Sequence, residues 1–539
     1  MLLLLLRVPV TRSLRWPAWL VLASLLPLGC AHSSSPANVL PSTPDATSFD
    51  GASAEASAPI TPGAGLDAAA GAWGSPDAMR SDGSDGGASK VDARGDGGQT
   101  VPPTVVASVK LSDPRQIIDG FGVSNAWISA PDPSIKTAVY DALFSLSKGA
   151  GLSILRNRIP FRENPMYDDQ FLAKNADGTY LSTTNPDGSK TFTLNWSNWD
   201  LTNTSALLAD IAAKGADYQV TKLLSTPWTP PNDSVNRWKL SDANKTIDYV
   251  SKPEQGGYLD PVHYADYADV LAQYALGYKA KMGVDLTALS LQNEPNFQAA
   301  YESADWSAQQ FHDFLAVLKA EFTKKGVFAQ LPNLQIAAPE DANFKEGLLV
   351  PTLSDPAVAG VVGIVAGHQY EFGPSNASSY APPVLAVSSA AGKHLWMTEW
   401  STAAWATDAS IADGLVVARL IDEDLTLTNA NAFFYWWAWG TGNGVLVVLP
   451  TKTSYVVPKR LFAMGQYSRF VRPGWRRVGT VDPPGVLLAA FEDPGATRVA
   501  VVAIHAGPAP TSFSLALDAG RFVGLTVTRT SATEDLANV

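Results

Sequence analysis

The chain has 539 residues, of which 46% are hydrophobic, so it can bury a sizeable core in one large domain or in several. Its formal net charge is −12 and its isoelectric point is about 5.0, which argues against a nucleic-acid partner because phosphate binding needs a basic surface. The single cysteine, Cys30, excludes an intramolecular disulfide.

Residues 1–30 have the pattern of a bacterial export signal. Three arginines precede an apolar run at 16–28, which is too short to be a comfortable membrane span. Gly29 and Cys30 follow this run and resemble the lipobox, in which the cysteine becomes the lipid-bearing N-terminus. Pro27 stands where that motif usually has leucine, so plain secretion stays open. We expect a secreted or cell-surface protein, held at the bacterial outer membrane through lipid on Cys30 and touching the membrane in no other way.

Residues 31–103 are rich in Ala, Ser, Gly, Asp and Pro and show no apolar periodicity. Such a segment cannot bury enough apolar surface to offset its ordering entropy. The composition therefore predicts a disordered tether that holds a folded domain away from the membrane surface.

From residue 104 onward, short apolar runs alternate with longer helical patterns, which is typical of βα units and a parallel sheet. The predicted strands are 117–128, 153–159, 218–226, 286–292, 334–338, 361–370, 393–400 and 431–439. The clearest predicted helices are 134–148, 201–214, 261–281, 304–325, 409–427 and 458–470. Eight such units predict an α/β fold, a (β/α)₈ TIM barrel over 104–473, with the first strand or strands free to join a side domain.

A doubly wound open sheet is the alternative architecture, but Gly120-Phe121-Gly122 after the first strand lacks the third glycine of a phosphate-binding fingerprint. Beyond residue 473 the pattern changes to short alternating runs at 486–491, 499–504, 512–517 and 525–530. These predict a small antiparallel β side domain over 474–539.

Two carboxylates stand where apolar strands end, and barrel active sites lie at that end of the strands. Glu294 follows the fourth predicted strand and Glu399 ends the seventh. Hydrolysis of a glycosidic bond requires two carboxyl groups, one to protonate the leaving oxygen and one to meet the positive charge at the anomeric carbon. An isolated glutamate after a strand is usually a solvated loop residue, but two in such settings are harder to dismiss.

An ordered set of motifs resembles glycoside hydrolase family 30, within the clan A barrels. Asn293-Glu294-Pro295 and Trp396-Met397-Thr398-Glu399 are similar to the two catalytic motifs of that family. The remaining matches are Ile118-Asp119-Gly120-Phe121-Gly122, Ile154-Leu155-Arg156, Pro227-Trp228-Thr229-Pro230-Pro231, Gly367-His368-Gln369-Tyr370, Tyr435-Trp436-Trp437 and Phe470-Val471-Arg472-Pro473-Gly474. Together they cover nearly all of the chain after the tether.

The resemblance implies a retaining hydrolase in which Glu294 is the acid/base and Glu399 the nucleophile that forms a covalent glycosyl intermediate. It also implies that Asn293 hydrogen-bonds the sugar 2-hydroxyl, although asparagine before proline is also a common turn residue. His368 and Tyr370 either orient the nucleophile or bind sugar, with a structural histidine as the alternative. Arg156 is a candidate to hold the nucleophile ionised, unless it forms a purely structural ion pair.

Three tryptophans that lie in the family-like motifs, Trp228, Trp436 and Trp437, are candidate sugar platforms. Strand alternation predicts that only one of Trp436 and Trp437 faces the lumen while the other packs against helices. Trp127 and Trp400 are weaker candidates, and we expect at least one of them to pack in the core.

The resemblance implies a polysaccharide substrate, and a xylan-type endo-hydrolase is the favoured member. Family glucuronoxylanases hold a uronate branch through arginines after the eighth strand, whereas residues 438–442 here contain no cation. A β-1,6-glucanase or galactanase stays open, as does, from another class, a non-catalytic surface carbohydrate-binding lipoprotein. The six histidines show no metal-binding spacing, so we expect no metal and no cofactor. We expect a monomer with a side domain that is either small or cut short.

Overall fold

The computed structural model describes most of the chain beyond residue 105. The described residues are 2–9, 19–21, 106–161, 170–240, 255–297, 299, 301–372, 380–381, 383–402, 409–442, 444–507, 511–520 and 523–539, with only the backbone described for 2–9 and 19–21. The predicted tether at 31–103 and the predicted lipidation site Cys30 lie outside these ranges. Among the described helices, none has the length and apolar character that a membrane crossing needs.

Eight parallel strands close into a barrel. They are Gly120–Ser124, Ile154–Ile159, Lys222–Pro227, Ala288–Ser290, Gln335–Asp341, Val362–His368, His394–Glu399 and Ala432–Gly440. Each strand pairs with the next one along the chain, and the eighth pairs with both the seventh and the first. This confirms the predicted (β/α)₈ barrel.

The strands are buried on both faces. Their inner side chains fill the barrel in a mixture of small and large residues: Ile154, Leu224, Ala288, Ala337, Ile364, Ala366, Trp396, Ala432 and Phe434. Their outer side chains join a larger apolar cluster beneath the helices. Strands buried on both faces read as continuous apolar runs, which explains why the sequence located all eight.

The helices that cover the barrel are Pro133–Phe144, Trp199–Ala213, Tyr264–Met282, Ala308–Lys324, Val327–Gln330, Val350–Ser354, Ala386–Ala390, Ile411–Glu423 and Lys459–Ser468. A π-helical turn at Asp424–Thr428 extends the helix that follows the seventh strand. Helix Ala308–Lys324 starts with a reciprocal capping box between Ser307 and Gln310. Helix Tyr264–Met282 ends at Gly283, whose φ of 78° suits glycine.

A second sheet, here called the side sheet, contains most of the C-terminal segment. Its strands there are Arg476–Val481, Val486–Glu492, Arg498–His505, Ser514–Leu517, Thr526–Thr530 and Ala537–Asn538. Val106–Ile117 also belongs to it, pairing antiparallel with Arg476–Val481 and parallel with Ser514–Leu517. The first predicted strand, 117–128, therefore spans the end of a side-sheet strand and the first barrel strand, and the side sheet takes the N-terminal strand as the sequence left open.

Two short segments of the predicted export signal also pair with the side sheet. Leu2–Pro9 lies between Arg498–His505 and Thr526–Thr530, and Trp19–Val21 pairs with Ser514–Leu517. The side sheet has its own apolar cluster around Val109, Val478 and Val501. The export signal itself stays a prediction.

Candidate active site

Three buried glutamates meet at the C-terminal rim of the barrel. Glu294 follows the fourth strand, Glu340 lies in the fifth, and Glu399 is the last residue of the seventh. Their exposed fractions are 7%, 0% and 5%. One oxygen of Glu294, one oxygen of Glu399 and one ring nitrogen of His368 all lie within 4.8 Å of one another. The structure thus brings together the two carboxylates that the sequence singled out.

Arg156, fully buried in the second strand, connects these groups. Its Nη1 donates to Glu399 Oε2 at 2.7 Å and its Nη2 to Asn293 Oδ1 at 2.7 Å. Its Nε lies 3.2 Å from Glu340 Oε1 and 3.3 Å from Thr226 Oγ1. The guanidinium is therefore held on every side, and it fixes the position of Glu399 by a charge-assisted hydrogen bond.

His368 and Tyr370 each contact a different carboxylate. The His368 Nδ1 atom lies 3.1 Å from Glu294 Oε1, while its Nε2 atom is 3.8 Å from Glu399 Oε2 and 4.0 Å from Glu340 Oε1. The Tyr370 hydroxyl donates to Glu399 Oε1 at 2.8 Å. The ring of His368 is fully buried and spans all three carboxylates, so it has no open face for a sugar. The hydrogen bond from Tyr370 to Glu399 fits one of the two roles that the sequence left open, orientation of the nucleophile.

The charges of this cluster shift one another's titration. Burial acts to lower the pKa of His368, but Glu399 and Glu294 outweigh it and raise that pKa. Burial raises the pKa of Glu399, and the charges of His368 and Arg156 oppose this. Burial would also raise the pKa of Glu340, yet Arg156 and His368 hold it below its ordinary value. Glu340 therefore has a more firmly fixed negative charge than Glu399.

Aromatic rings line the same rim. The Trp127 and Trp228 rings meet at 4.5 Å between centroids, and Trp436 lies 6.1 Å and 5.8 Å from them. The Arg156 guanidinium lies 4.8 Å from Trp228 and 5.6 Å from Trp436, close enough for cation–π attraction. Trp228 is 2% exposed, so it forms a wall and not an open platform, whereas Trp127 and Trp436 are half-buried.

The strand alternation predicted to place Trp436 and Trp437 on opposite faces is not observed. The eighth strand has a β-bulge here. Tyr435 pairs with Val123, but the next residue of the first strand, Ser124, pairs with Trp437 and not with Trp436. Two residues opposite one break the alternation on which the prediction rested. The two indole rings instead stack at 5.2 Å with 22° between their planes. Of the two weaker candidates, Trp400 packs in the core with 1% exposure, as expected for at least one of them.

Sequence reasoning missed three residues that contact this cluster. Glu340 and Thr226 are bonded to each other, the Thr226 hydroxyl donating to Glu340 Oε2 at 2.9 Å. The Tyr301 hydroxyl donates to Glu294 Oε2 at 3.3 Å. The signal for Glu340 was present, since it stands two residues after the predicted fifth strand, 334–338. The rule that found Glu294 and Glu399 would have found it had that strand been drawn to its observed end.

Three residues at this rim have left-handed backbone that non-glycine residues seldom adopt. The φ angles are 56° at Trp127, 45° at Glu294 and 60° at Glu340. The Glu294 amide donates to the Glu340 carbonyl at 2.9 Å, so the strained backbone of one glutamate is bonded to that of the other. Strain of this kind persists where surrounding contacts impose it, and it clusters at functional sites.

Glu294, His368 and Glu399 are also the side chains whose atoms could reach one metal ion within the described residues. Both oxygens of Glu399, however, already accept hydrogen bonds, one from Arg156 and one from Tyr370. The arrangement is suited to holding the Glu399 carboxylate in a fixed orientation beside that of Glu294.

The chain is similar to known proteins both in sequence and in structure. The chain is 26% identical over 404 residues to "Glucuronoxylanase XynC" of Bacillus subtilis, which covers 74% of this chain and 77% of that protein. It is 28% identical over 293 residues to the protein of the same name from Bacillus subtilis strain 168, covering 54% and 62% of the two chains. No family model matches the chain.

Among solved structures, the glycoside hydrolase family 30 subfamily 8 xylanase Xyn30A of Clostridium acetobutylicum is 27% identical. It superposes with a TM-score of 0.60, covering 80% of this chain and 92% of that one. The endo-β-1,6-glucanase BT3312 is 18% identical with a TM-score of 0.57, covering 80% and 94%, and this likeness shows the shared fold alone.

Proposed function

We propose, on the premise that this chain is a glycoside hydrolase and a member of family 30, that it cleaves xylan by a retaining mechanism. One observation carries the mechanism: oxygens of Glu294 and Glu399 lie within 4.8 Å of each other. Retaining enzymes hold their carboxyl groups about 5–5.5 Å apart, whereas inverting enzymes leave about 6.5–9.5 Å for a water molecule. The observed spacing favours direct attack by a carboxylate on the sugar.

In the first step, a Glu399 oxygen forms a bond to the anomeric carbon while the bond from that carbon to the leaving oxygen breaks. Glu294 gives its proton to the leaving oxygen. Arg156 and Tyr370, which donate to Glu399 at 2.7 Å and 2.8 Å, present this carboxylate in a fixed orientation. Orientation of this kind contributes to catalysis because it is established before the substrate binds.

In the second step, a water oxygen attacks the anomeric carbon and gives a proton to Glu294, which is now ionised. The ester bond to Glu399 breaks, and its electron pair returns to that carboxylate. His368, with Nδ1 at 3.1 Å from Glu294 Oε1, is placed to stabilise the charge on Glu294 during this step.

A hydrogen bond from Arg156 supports the role that the resemblance implied for Asn293. Its Oδ1 accepts from Arg156 at 2.7 Å, which fixes the amide so that its Nδ2 group faces away from the guanidinium. An amide donor held in this way suits a sugar 2-hydroxyl, a contact that strengthens in the transition state. The half-buried rings of Trp127 and Trp436 at the same rim supply flat surfaces for sugar faces.

For the substrate, the relatives named as xylanases support xylan over the β-1,6-glucans and galactans. Residues 438–442 read Ala-Trp-Gly-Thr-Gly and contain no cation to pair with a uronate. We therefore propose endo-cleavage of xylan without dependence on a glucuronate branch. We further propose that the protein acts outside the cell on a lipid anchor at Cys30, which the export pattern at 1–30 supports. We propose that it acts there as a monomer.

The experiment is hydrolysis of unbranched xylan, glucuronoxylan, β-1,6-glucan and β-1,6-galactan, with the first product observed by proton NMR. We expect the two xylans to be cleaved at comparable rates and the new reducing end to appear first as the β-anomer. An α-anomer as first product would contradict the retaining mechanism. Cleavage of a β-1,6-linked polymer alone would replace xylan as the substrate.

A further inference from the structure

The reacting cluster contains more charged groups than hydrolysis by two carboxylates requires. Three glutamates, Arg156 and His368 are in mutual contact with little or no exposure to solvent, and Glu399 and Glu294 raise the pKa of His368. Charges removed from water are costly unless they are compensated. The third glutamate, Glu340, takes no part in the formation or the hydrolysis of the glycosyl-enzyme, so its presence needs an explanation.

Glu340 is bound firmly through both of its carboxylate oxygens. Its Oε1 lies 3.2 Å from Arg156 Nε and its Oε2 accepts from the Thr226 hydroxyl at 2.9 Å. It is fully buried, and its carbonyl accepts the Glu294 amide at 2.9 Å. One residue thus contacts the arginine that holds the nucleophile and the backbone of the acid/base.

We propose that Glu340 is a positioning residue for this reaction, whose fixed negative charge holds the Arg156 guanidinium in place and compensates it through both chemical steps. This inference rests on the proposed retaining function. It assigns Glu340 a task that neither Glu294 nor Glu399 can perform, because each of those changes its charge during turnover.

Counting charges shows why a third carboxylate is needed. With His368 protonated, the state that its raised pKa favours, Arg156 and His368 face the anions Glu340 and Glu399 before reaction, while Glu294 carries the proton to be given away. After the first step Glu399 is a neutral ester, and Glu294 has become an anion. The two cations then face Glu294 and Glu340. The cluster is balanced in both states with Glu340 and is one negative charge short in both states without it.

Other ionisable groups around the cluster differ from Glu340 in this respect. Tyr370 contacts Glu399 as a neutral donor. Asp341, next in the chain, accepts the backbone amide of Lys345 with both oxygens, and burial raises its pKa to about 7. Asp341 does not contact Arg156, so it cannot replace Glu340 as the partner of the guanidinium.

The test is Glu340→Gln, which keeps shape and hydrogen bonding but removes the charge. Without the negative charge of Glu340, the cluster binds the proton on Glu294 less tightly. We expect the alkaline limb of the kcat/KM profile to move to lower pH by about one unit. We also expect release of the sugar from the enzyme to slow by about tenfold, since the base that activates water is weaker. A merely structural role would lower stability and leave the limb in place.

Two variants serve as controls for this shift. Glu340→Asp keeps the charge, so we expect a lower kcat with an unmoved alkaline limb, and this variant carries the test if Glu340→Gln does not fold. Asp413→Asn breaks a comparably buried ion pair, Asp413 with Arg460 at 2.7 Å, without contact to the three glutamates. We expect it to lower stability alone.

A third control, Asp341→Asn, removes the neighbouring group that titrates near neutrality, and we expect it to leave the limb in place. A limb that moves equally in this variant or in Glu340→Asp would overturn the inference, as would a Glu340→Gln profile that matches the wild type. The proposed function fails separately, if the unmodified enzyme forms no glycosyl-enzyme at all.

Discussion

The barrel has a buried carboxylate network at each end, and the two networks differ in how far the charged partners are exposed to water. At the N-terminal end, Asp119 accepts from Lys222, His394 and Trp396 at 2.8, 2.5 and 2.8 Å. At the C-terminal rim, Arg156 joins Glu340, Glu399 and Asn293. The first network surrounds one anion with donors, whereas the second surrounds one cation with acceptors.

The exposure of the partners shows what this difference means. The Lys222 and His394 side chains are 25% and 48% exposed, so water stabilises their charges at little cost. Around Arg156 the side chains of Glu340 and Glu399 are 0% and 7% exposed. Charges buried to this degree are costly unless they are paired, as they are around Arg156, while the N-terminal network links strands one, three and seven and so contributes to stability.

The largest expected effect comes from Glu294→Ala at the rim. We expect kcat/KM on xylan to fall on the order of 10²–10⁴-fold, because protonation of a poor leaving group is lost. Aryl xylosides with good leaving groups need little protonation and should lose far less. Steady-state kinetics on both substrates measures the contrast, and equal losses would remove Glu294 from the acid role.

The matching change at the other end is Asp119→Asn. Here we expect a loss of about 1–3 kcal/mol in the free energy of unfolding, since one acceptor of charge-assisted bonds is replaced by a neutral one. The kcat should stay close to that of the wild type. Urea denaturation and kinetics on the same samples measure both quantities, and an inactive but fully stable variant would show that the N-terminal network is not purely structural.

The smallest expected effect is the pH dependence of the N-terminal network. A hydrogen bond to Asp119 raises the pKa of His394, so this pair stabilises the fold most below the ordinary histidine pKa of about 6.5. Its contribution is lost as pH rises through the raised pKa.

His394 in turn helps to lower the pKa of Asp119, against the effect of burial, so the network also weakens in acid near the aspartate range. His394→Gln should therefore cost more stability at pH 6 than at pH 9. A constant difference across this range would mean that the imidazolium does not contribute.

The burial of the barrel strands also explains which features the sequence could predict. Residues buried on both faces of a strand leave a continuous apolar run, and the polar residue that ends the run is visible, as with Glu399. Arg156 was visible too, because it lies near the end of the second strand in the family-like motif Ile154-Leu155-Arg156. These signals depend only on chain-local pattern, and they located the barrel and the two rim carboxylates that the proposed mechanism uses.

Features that depend on pairing between strands were less accessible. The bulge that stacks Trp437 on Trp436 arises from how the eighth strand pairs with the first, which no local pattern encodes. Val106–Ile117 joins the side sheet through partners more than 350 residues away in sequence at Arg476–Val481. Glu340 was missed because its strand continues through a left-handed residue that propensity would place in a turn.

The most direct test of the central claim is chemical capture of the intermediate. A 2-deoxy-2-fluoro xylosyl or xylobiosyl fluoride slows the second step, so mass spectrometry of the digested protein can identify the esterified residue. We expect a stoichiometric label on the peptide that contains Glu399, absent in Glu399→Ala and cleared by a sugar acceptor. A label on another residue, or an active enzyme in which Glu399 has been replaced by alanine, would contradict the double displacement described here.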